Sequence, residues 1–205
     1  GLVRILLERR LPLSLDATLT RSAELFGDRL EVDLADLKVS LSDFIRQRLC
    51  NVLVEAGNRP DMVEAVVDAG FDDLNSVVLR LEAVRELEKD ERFAILITAF
   101  KRAYNITKGE YASRIDPTNF ESDFERSLYE TFESVKPRFE ALFERGDFKQ
   151  ALSVLLDLAD PIDRFFENVM VMVDDERLRN TRLNLLGNIT HLFLKIANFS
   201  RLESI

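Results

Sequence analysis

The sequence is poor in the residues from which most catalytic and metal sites are built. It has one cysteine, one histidine and no tryptophan among 205 residues. Zinc sites and catalytic triads need several histidines or cysteines, and the glycine patterns of nucleotide-binding loops do not occur. Carboxylates are plentiful, but they stand at helix starts and on charged faces, where nothing apolar would raise a pKa. The sequence therefore predicts no catalytic residue and no metal ligand in this chain.

Glycine and proline are also scarce, with seven and five residues, and this composition favours an all-α fold. The length suits one domain, or one domain with an appendage. No apolar run is long enough to span a bilayer, and we find no secretory leader. The lone Cys50 falls in a helical apolar stripe, which is typical of a buried thiol in a reducing compartment. We expect a cytoplasmic protein with no membrane contact.

The net charge of −9 argues against a free-standing nucleic-acid binder, because such proteins are usually basic. No long segment of the chain is basic overall. Any RNA contact must then use a local patch, as an auxiliary contact within a larger assembly. Composition alone favours an alternative, an acidic non-enzymatic helical module for protein interaction or assembly. That alternative predicts an apolar patch on the surface and no affinity for RNA.

Residues 160–202 have the most specific pattern and predict a helical hairpin. Residues 162–172 are apolar on nearly every side, which predicts a buried helix that starts at Asp160-Pro161. Asp174 or Asp175 can cap a second helix over residues 176–198. One face of that helix is an apolar stripe. The opposite face is polar, so its histidine is expected to be solvated; it comprises Asn180, Asn184, Asn188, His191 and Lys195.

Two arginines interrupt the apolar stripe of that helix. Arg182 falls near its middle and Arg179 at its flank, where a guanidinium needs a partner or water. One interpretation is a structural ion pair across the hairpin, with Asp163 and Glu167 as the partners. The other is that one arginine points out of the bundle towards a phosphate or a base, since a guanidinium fork suits either task.

The runs PIDRFFENVMVM, DERLRNTRLNLL and LFLKIANFSRL in this hairpin resemble the end of the bacterial glycyl-tRNA synthetase beta subunit. The same helical module, the DALR anticodon-binding domain, also ends arginyl-tRNA synthetases. This chain keeps the Leu-Arg of the name-giving motif, at Leu178 and Arg179, and departs from it just before. The resemblance implies a helical bundle of the DALR type.

A second cluster lies near the end of a helix predicted over residues 91–106. Lys101, Arg102, Tyr104 and Asn105 can hold phosphates, stack on a base and bond to a base edge in a splayed anticodon loop. The helix dipole alone also favours cations at this position, without any RNA. The family has the pattern K-R-x-x-N-I here, and the chain matches it, which extends the resemblance over residues 40–205.

Three further arginines are candidate tRNA contacts. A helix over residues 43–56, opened by Ser40 or Ser42, is predicted to bury Phe44, Ile45, Leu49 and Val52. Arg46 projects away from that side and Arg48 borders it, at the arginine of a family F-x-x-x-R pattern. For Arg48, a half-buried stem with a solvated or paired head is the alternative to an RNA contact. Arg80 lies beside the apolar stripe of a helix that Asp72 or Asp73 caps and that runs to about residue 88.

The first 38 residues are interpreted as the end of a preceding domain and its linker, and residues 39–205 as the anticodon-binding domain. The opening GLVRILLERRLPLSL resembles the end of the helical metal-hydrolase-like domain that precedes this region in the glycyl beta subunit. Ser14 is predicted to cap a helix that ends at Phe26-Gly27. Pro137 lies inside a predicted helix and implies a kink or two abutting helices.

The resemblance implies the tRNA-binding part of a glycine–tRNA ligase, which positions glycine tRNA for aminoacylation by the separate alpha subunit. Glycine tRNA and the alpha subunit are then the expected partners. ATP and magnesium are expected for the intact enzyme, and no cofactor is expected in this segment.

Overall fold

A computed structural model of the protein describes residues 1–110 and 114–203. In this part of the chain the regular structure is helical, with no strand, so the all-α prediction is confirmed. The helices are α1 (Leu2–Arg9), α2 (Leu15–Phe26), α3 (Leu34–Glu55), α4 (Pro60–Asp68), α5 (Leu74–Leu87), α6 (Phe93–Thr107), α7 (Asp123–Glu144), α8 (Phe148–Leu155), α9 (Ala159–Asn168) and α10 (Glu176–Leu194). Short 3₁₀ turns lie at Gly27–Arg29, Pro117–Asn119, Leu156–Leu158 and Phe199–Arg201. The predicted loop over residues 108–119 lies partly outside the described residues.

Short polar side chains begin most of these helices, because the first backbone N–H groups have no partner within the helix. Side-chain oxygens accept from those groups at Ser14, Asp33, Asp73, Ser122, Asp147 and Asp175. The caps predicted at Ser14, at Asp73 and at Asp175 are confirmed.

Helix α3 begins earlier than predicted. Asp33 Oδ1 accepts from the backbone N–H groups of Ala35 and Asp36, at 2.8 and 3.3 Å, and the helix then continues to Glu55. The start predicted at Ser40 or Ser42 is therefore wrong, because Asp33 is the cap that is used. The proposed division after residue 38 falls inside this helix.

The buried side of α3 also differs from the prediction. Ile45, Leu49, Cys50 and Leu53 are buried, whereas Phe44 is 67% exposed. The buried position expected for Cys50 is confirmed. The buried side of α3 is thus rotated about the helix axis relative to the predicted side, and Phe44 lies on the surface.

The first two helices pack against the rest of the molecule. Val3, Leu6 and Leu15 belong to the same hydrophobic cluster as the later helices. Leu15 N donates to Asp72 O at 2.9 Å, just before α5. Residues 1–38 therefore share a core with the helices that follow.

Helix α9 is shorter than predicted and ends at Asn168. Val169 has extended dihedral angles, and residues 169–173 connect to α10 without forming a helix. Val169 and Val171 are buried, while Met170 and Met172 are 74% and 58% exposed. The expected buried helix over residues 162–172 is wrong at its end, because the Val-Met-Val-Met run alternates with the period of two of an extended chain.

Helix α10 packs between α6 and α7. Phe193 of α10 and Phe199 lie with Phe100 of α6 in one aromatic cluster, with ring centroids 5.4–5.9 Å apart. Helix α7 runs through Pro137 as one helix, so it is not two abutting helices.

The segment after α10 closes over α4 and α6. Asn198 N donates to Ala65 O at 2.7 Å, and Lys101 Nζ donates to Leu202 O at 2.7 Å. This segment fixes the end of α10 to two other helices.

Candidate nucleic-acid interface

Arg182 is buried at the junction of α7 and α10. Its Nε donates to Glu125 Oε1 at 2.7 Å, and its Nη1 donates to Met170 O at 2.9 Å. The interpretation as a structural ion pair is supported, but the expected partners, Asp163 and Glu167, are wrong. The partner, Glu125, comes from α7, and the sequence pattern of the hairpin alone gives no indication of it.

Glu125 performs two structural tasks with one carboxylate. While Oε1 accepts from Arg182, Oε2 accepts from Glu121 N, Ser122 N and Ser122 Oγ at 2.8–3.0 Å. Burial by itself would raise the pKa of Glu125, but the bonds from Arg182 and Ser122 outweigh it and lower that pKa. The carboxylate is therefore ionised at neutral pH and joins the start of α7 to α10.

Arg179 braces the segment between α9 and α10. Its Nη1 donates to Val173 O at 2.9 Å, and the residue is half-buried. With Arg182 bound to Met170 O, both Arg179 and Arg182 hold residues 169–173. Their described bonds go to the backbone of this segment and, for Arg182, also to Glu125.

Arg80 is buried and has no carboxylate within bonding distance among its described contacts. Its guanidinium donates to the carbonyls of Val66 and Ile196 at 3.3 and 3.2 Å, and also to that of Gly70. Burial lowers the pKa of Arg80 to about 10, partly opposed by Asp73, so the side chain stays cationic at neutral pH. Arg80 and Arg182, both predicted as tRNA contacts, thus lie inside the protein.

The other predicted contacts lie at or near the surface. Arg46 of α3 pairs with Glu64 and Asp68 of α4, with Nη2 to oxygen distances of 2.5 and 2.7 Å. Arg48 is exposed and lines a cleft of about 250 Å³ with Phe44 and α1. It lies on the opposite margin of α3 from the side that meets α4.

A row of cations connects Arg46 to α6. Asp68 also accepts from Arg201 Nε at 2.7 Å, so Arg46 and Arg201 share one carboxylate. The carbonyl of the next residue, Leu202, accepts from Lys101 Nζ. Arg46 and Lys101 were each predicted as tRNA contacts from the sequence, but Arg201 was not. Arg201 lies in a 3₁₀ turn, and no helical periodicity relates that turn to α3.

Arg102 presents a flat cationic surface beside this row. Its guanidinium carbon lies 4.3 Å from the ring centroid of Phe166, and its Nη1 lies 3.7 Å from Asp163 Oδ1. The side chain is 46% exposed, so the weak ion pair leaves the guanidinium accessible. Asn105, one turn further along α6, is exposed.

Tyr104 points into the protein more than the sequence suggested. Its ring stacks on Phe100, with centroids 5.6 Å apart at an interplanar angle of 24°, and is half-buried. Gly109 packs against the same ring, where an added Cβ would come within 3.0 Å. Tyr104 therefore supports the end of α6, with one edge accessible.

A polar cleft of about 380 Å³ lies where the end of α6 meets α10. Lys108, Asn180 and Asn184 line it, and Asn184 Nδ2 donates to Arg114 O at 3.2 Å. The sequence placed both asparagines on the polar face of the last helix without giving them a role. Their four-residue spacing was the signal, because it sets two amides on the same edge.

Comparison with known proteins identifies a matching family. The family described as DALR anticodon binding domain matches residues 96–199, just over half of the chain. The chain belongs to the DALR anticodon-binding domain family. The matched range begins on α6, before Lys101 and Arg102, and ends in the aromatic cluster at Phe199.

Curated relatives extend the similarity over the whole chain. The glycine–tRNA ligase beta subunit of Syntrophus aciditrophicus is 38% identical over 202 residues, which is 98% of this chain and 29% of the relative. Those of Syntrophotalea carbinolica and Halothermothrix orenii are 35% and 37% identical, over 100% and 98% of this chain. They are covered to 30% and 29% of their own length. The chain thus spans less than a third of the relatives it matches.

The described residues lack the side-chain grouping of a metal site and the long apolar helix of a membrane span. Within residues 1–110 and 114–203, no three His, Cys, Asp or Glu side chains are grouped so as to hold a metal ion. In the same ranges no helix combines the length and the apolar character needed to cross a bilayer.

Proposed function

We propose that this chain is the tRNA-gripping part of a glycine–tRNA ligase beta subunit. It holds the anticodon end of glycine tRNA while the alpha subunit joins glycine to the acceptor end. The proposal is supported by the DALR family match, together with relatives that carry this name over the whole chain. ATP and magnesium belong to the alpha subunit's reaction, and the cytoplasm, where tRNA is charged, is the proposed location.

The surface at the end of α6 fits this task. Lys101, Arg201 and Arg46 form a row that can neutralise successive backbone phosphates, exchanging their present carboxylate and carbonyl partners for phosphate oxygens. The exchange is easiest at Arg201, whose side chain is 59% exposed, because ion pairs made by exposed side chains are weak.

Arg102 provides the surface on which an unpaired base can stack. Phe166 supports the guanidinium from beneath, so that its outer face can receive a base with little loss of side-chain entropy. Asn105 and the amide of Asn180 offer both donors and acceptors to base edges. Phosphate contacts would supply affinity and these amides would supply selectivity.

The acidity of the chain fits the same proposal. The row carries three cations within a protein of net charge −9. RNA that does not fit the row meets carboxylates instead, which suppresses non-specific binding. The row of cations then discriminates between RNA molecules by the shape of their backbone as well as by its charge.

A tRNA titration of the Arg102→Ala variant tests the proposal. The wild type is titrated with transcribed glycine tRNA, an anticodon-altered version and an unrelated tRNA at two salt concentrations, both as this chain and within the intact two-subunit enzyme. We expect glycine tRNA to bind most tightly, binding to weaken with salt, and Arg102→Ala to lose about tenfold in affinity.

Arg138→Ala is the matched control. Arg138 is an exposed arginine of α7, and its Nη1 lies 3.2 Å from Asp157 Oδ2. It should bind like the wild type, and circular dichroism should show the same helix content in both variants. Equal affinity for all three tRNAs would contradict anticodon reading. Absence of binding even in the intact enzyme would favour an assembly module, for which the exposed apolar side chains of Leu2, Ile5 and Phe44 offer a surface.

A further inference from the structure

A cationic pocket, separate from the row of cations described above, lies between α10 and α7. It has a volume of about 220 Å³, and its polar lining consists of Lys136, Glu140, Asn188, His191 and Lys195. Phe132 and Leu192 line its apolar part. Two ammonium groups and an imidazole thus face one cavity together with a single carboxylate.

The carboxylate does not balance these cations. Glu140 Oε1 lies 3.8 Å from Lys195 Nζ, a long contact between partly exposed groups. Lys136 extends over the ring of Phe132, with Nζ 5.9 Å from the centroid. Lys195 similarly lies 5.8 Å from the centroid of Phe143. The aromatic rings position both ammonium groups at the pocket without neutralising them.

Helix electrostatics explain only part of this arrangement. Lys195 lies at the C-terminal end of α10, where the helix dipole favours a cation. Lys136 lies inside α7, far from either end, so the dipole gives no reason for its position opposite Lys195. Glu140 supplies one negative charge against two ammonium groups, so the pocket lining keeps a net positive charge that attracts an anion.

The pKa of His191 is lowered mainly by burial and also depends on the charged groups of the pocket. Burial lowers its pKa first, Lys195 and Lys136 lower it further, and Glu140 opposes them. These groups face the imidazole from both helices that form the pocket. An anion bound among them would reverse the balance and favour the imidazolium.

We infer that the pocket between α7 and α10 binds a phosphate group through Lys136, Lys195 and His191, and that the tRNA backbone supplies that group. The RNA source rests on the proposed function, whereas the phosphate chemistry does not. Helix α10 packs against both α6 and α7, and the pocket lies between α10 and α7, whereas the row includes Lys101 of α6. The pocket is thus a second anchor with residues other than those of the row.

His191 is the sole histidine of the chain and gives a direct probe of this pocket. The imidazole proton NMR signal is followed while inorganic phosphate is added to the whole chain, with sodium chloride at matched ionic strength as the reference. We expect a saturable shift with phosphate and a rise in the pKa of His191. Lys136→Gln and Lys195→Gln should each abolish the saturable part, and Lys149→Gln, on an exposed face of α8, should retain it.

The RNA source is tested with glycine tRNA and the same variants. Lys136→Gln should weaken binding about fivefold for all tRNAs alike and lower the salt dependence by about one counterion, while Lys149→Gln binds like the wild type. The RNA source is refuted if phosphate shifts the His191 signal of the wild type but Lys136→Gln binds tRNA with unchanged affinity.

The two proposals fail in distinguishable ways. Phosphate that shifts the His191 signal no more than chloride does would overturn the pocket, and anticodon-dependent binding with its loss in Arg102→Ala would still support the proposed function. Saturable phosphate binding in a protein that binds no tRNA would uphold the phosphate chemistry and refute both the RNA source and the proposed function.

Discussion

Two buried arginines hold two junctions of this molecule by different means. Arg182, 6% exposed, meets the carboxylate of Glu125 where α7 joins α10. Arg80, 4% exposed, meets backbone carbonyls where α4 and α5 join the segment after α10. The first junction is a charge pair, and the second is a cation surrounded by neutral dipoles.

The carbonyls around Arg80 explain why no carboxylate is needed there. Val66 lies in the last turn of α4 and Gly70 just after it, and Ile196 follows the end of α10. Carbonyls at helix ends carry the negative end of the helix dipole and can accept further donors, as the Val66 carbonyl does beside its bond from Ala69 N. Arg80 therefore caps two helices at once, whereas Arg182 depends on one ionised partner. The two junctions should respond differently to mutation and to acid.

Removal of Glu125 should have the largest effect. Glu125→Ala leaves Arg182 buried without its counter-ion and the start of α7 without its capping carboxylate, so we expect a loss of about 3–5 kcal/mol in the free energy of unfolding. Urea denaturation followed by circular dichroism measures it. A double variant, Glu125→Leu with Arg182→Met, should recover much of the loss, and a double variant as unstable as Glu125→Ala would show that charge is not the cause.

Truncation of Arg80 should cost less. Arg80→Met fills a similar volume but removes the guanidinium bonds to the carbonyls at two helix ends, and we expect a loss of about 2–3 kcal/mol. Arg85→Met, at an exposed position on the same helix, is the control and should stay within about 0.5 kcal/mol of the wild type. Equal stability of the two variants would mean that water replaces the guanidinium.

Acid should separate the two junctions by a smaller amount. The pKa of Glu125 is lower in the folded protein than its ordinary value of 4.5, so its contribution is present above about pH 4.5 and lost as the pH falls through the folded pKa. Glu125→Gln should therefore show a flatter decline in stability between about pH 5 and 3 than Arg80→Met does. Parallel pH profiles would exclude Glu125 as a source of acid sensitivity.

The sequence predicted local features well, because they depend on neighbours along the chain. Caps such as Ser14 and Asp175 and the all-helical class follow from short-range rules. The end of the helix predicted over residues 91–106 is also confirmed to within one residue, since α6 ends at Thr107.

Features that depend on distant partners were missed. Nothing near Arg182 in sequence indicates Glu125, 57 residues earlier, and nothing near Arg80 indicates Ile196, 116 residues later. Whether a guanidinium is buried or exposed is decided by how the helices pack. Periodicity placed Arg80 beside one apolar stripe and Arg182 near the middle of another, but it could not supply the groups that enclose them.

The contact between Arg80 and Ile196 also orders events in time. During synthesis from the N-terminus, α4 and α5 emerge more than a hundred residues before the carbonyl that completes the surroundings of Arg80. Contacts so far apart in sequence are slow to form. Until then Arg80 can donate to the carbonyls of Val66 and Gly70 but lacks the carbonyl of Ile196, so the early helices can assemble only loosely. The cooperative unit therefore closes late, and a ribosome stalled before residue 196 should carry a chain that is helical yet readily digested by proteases.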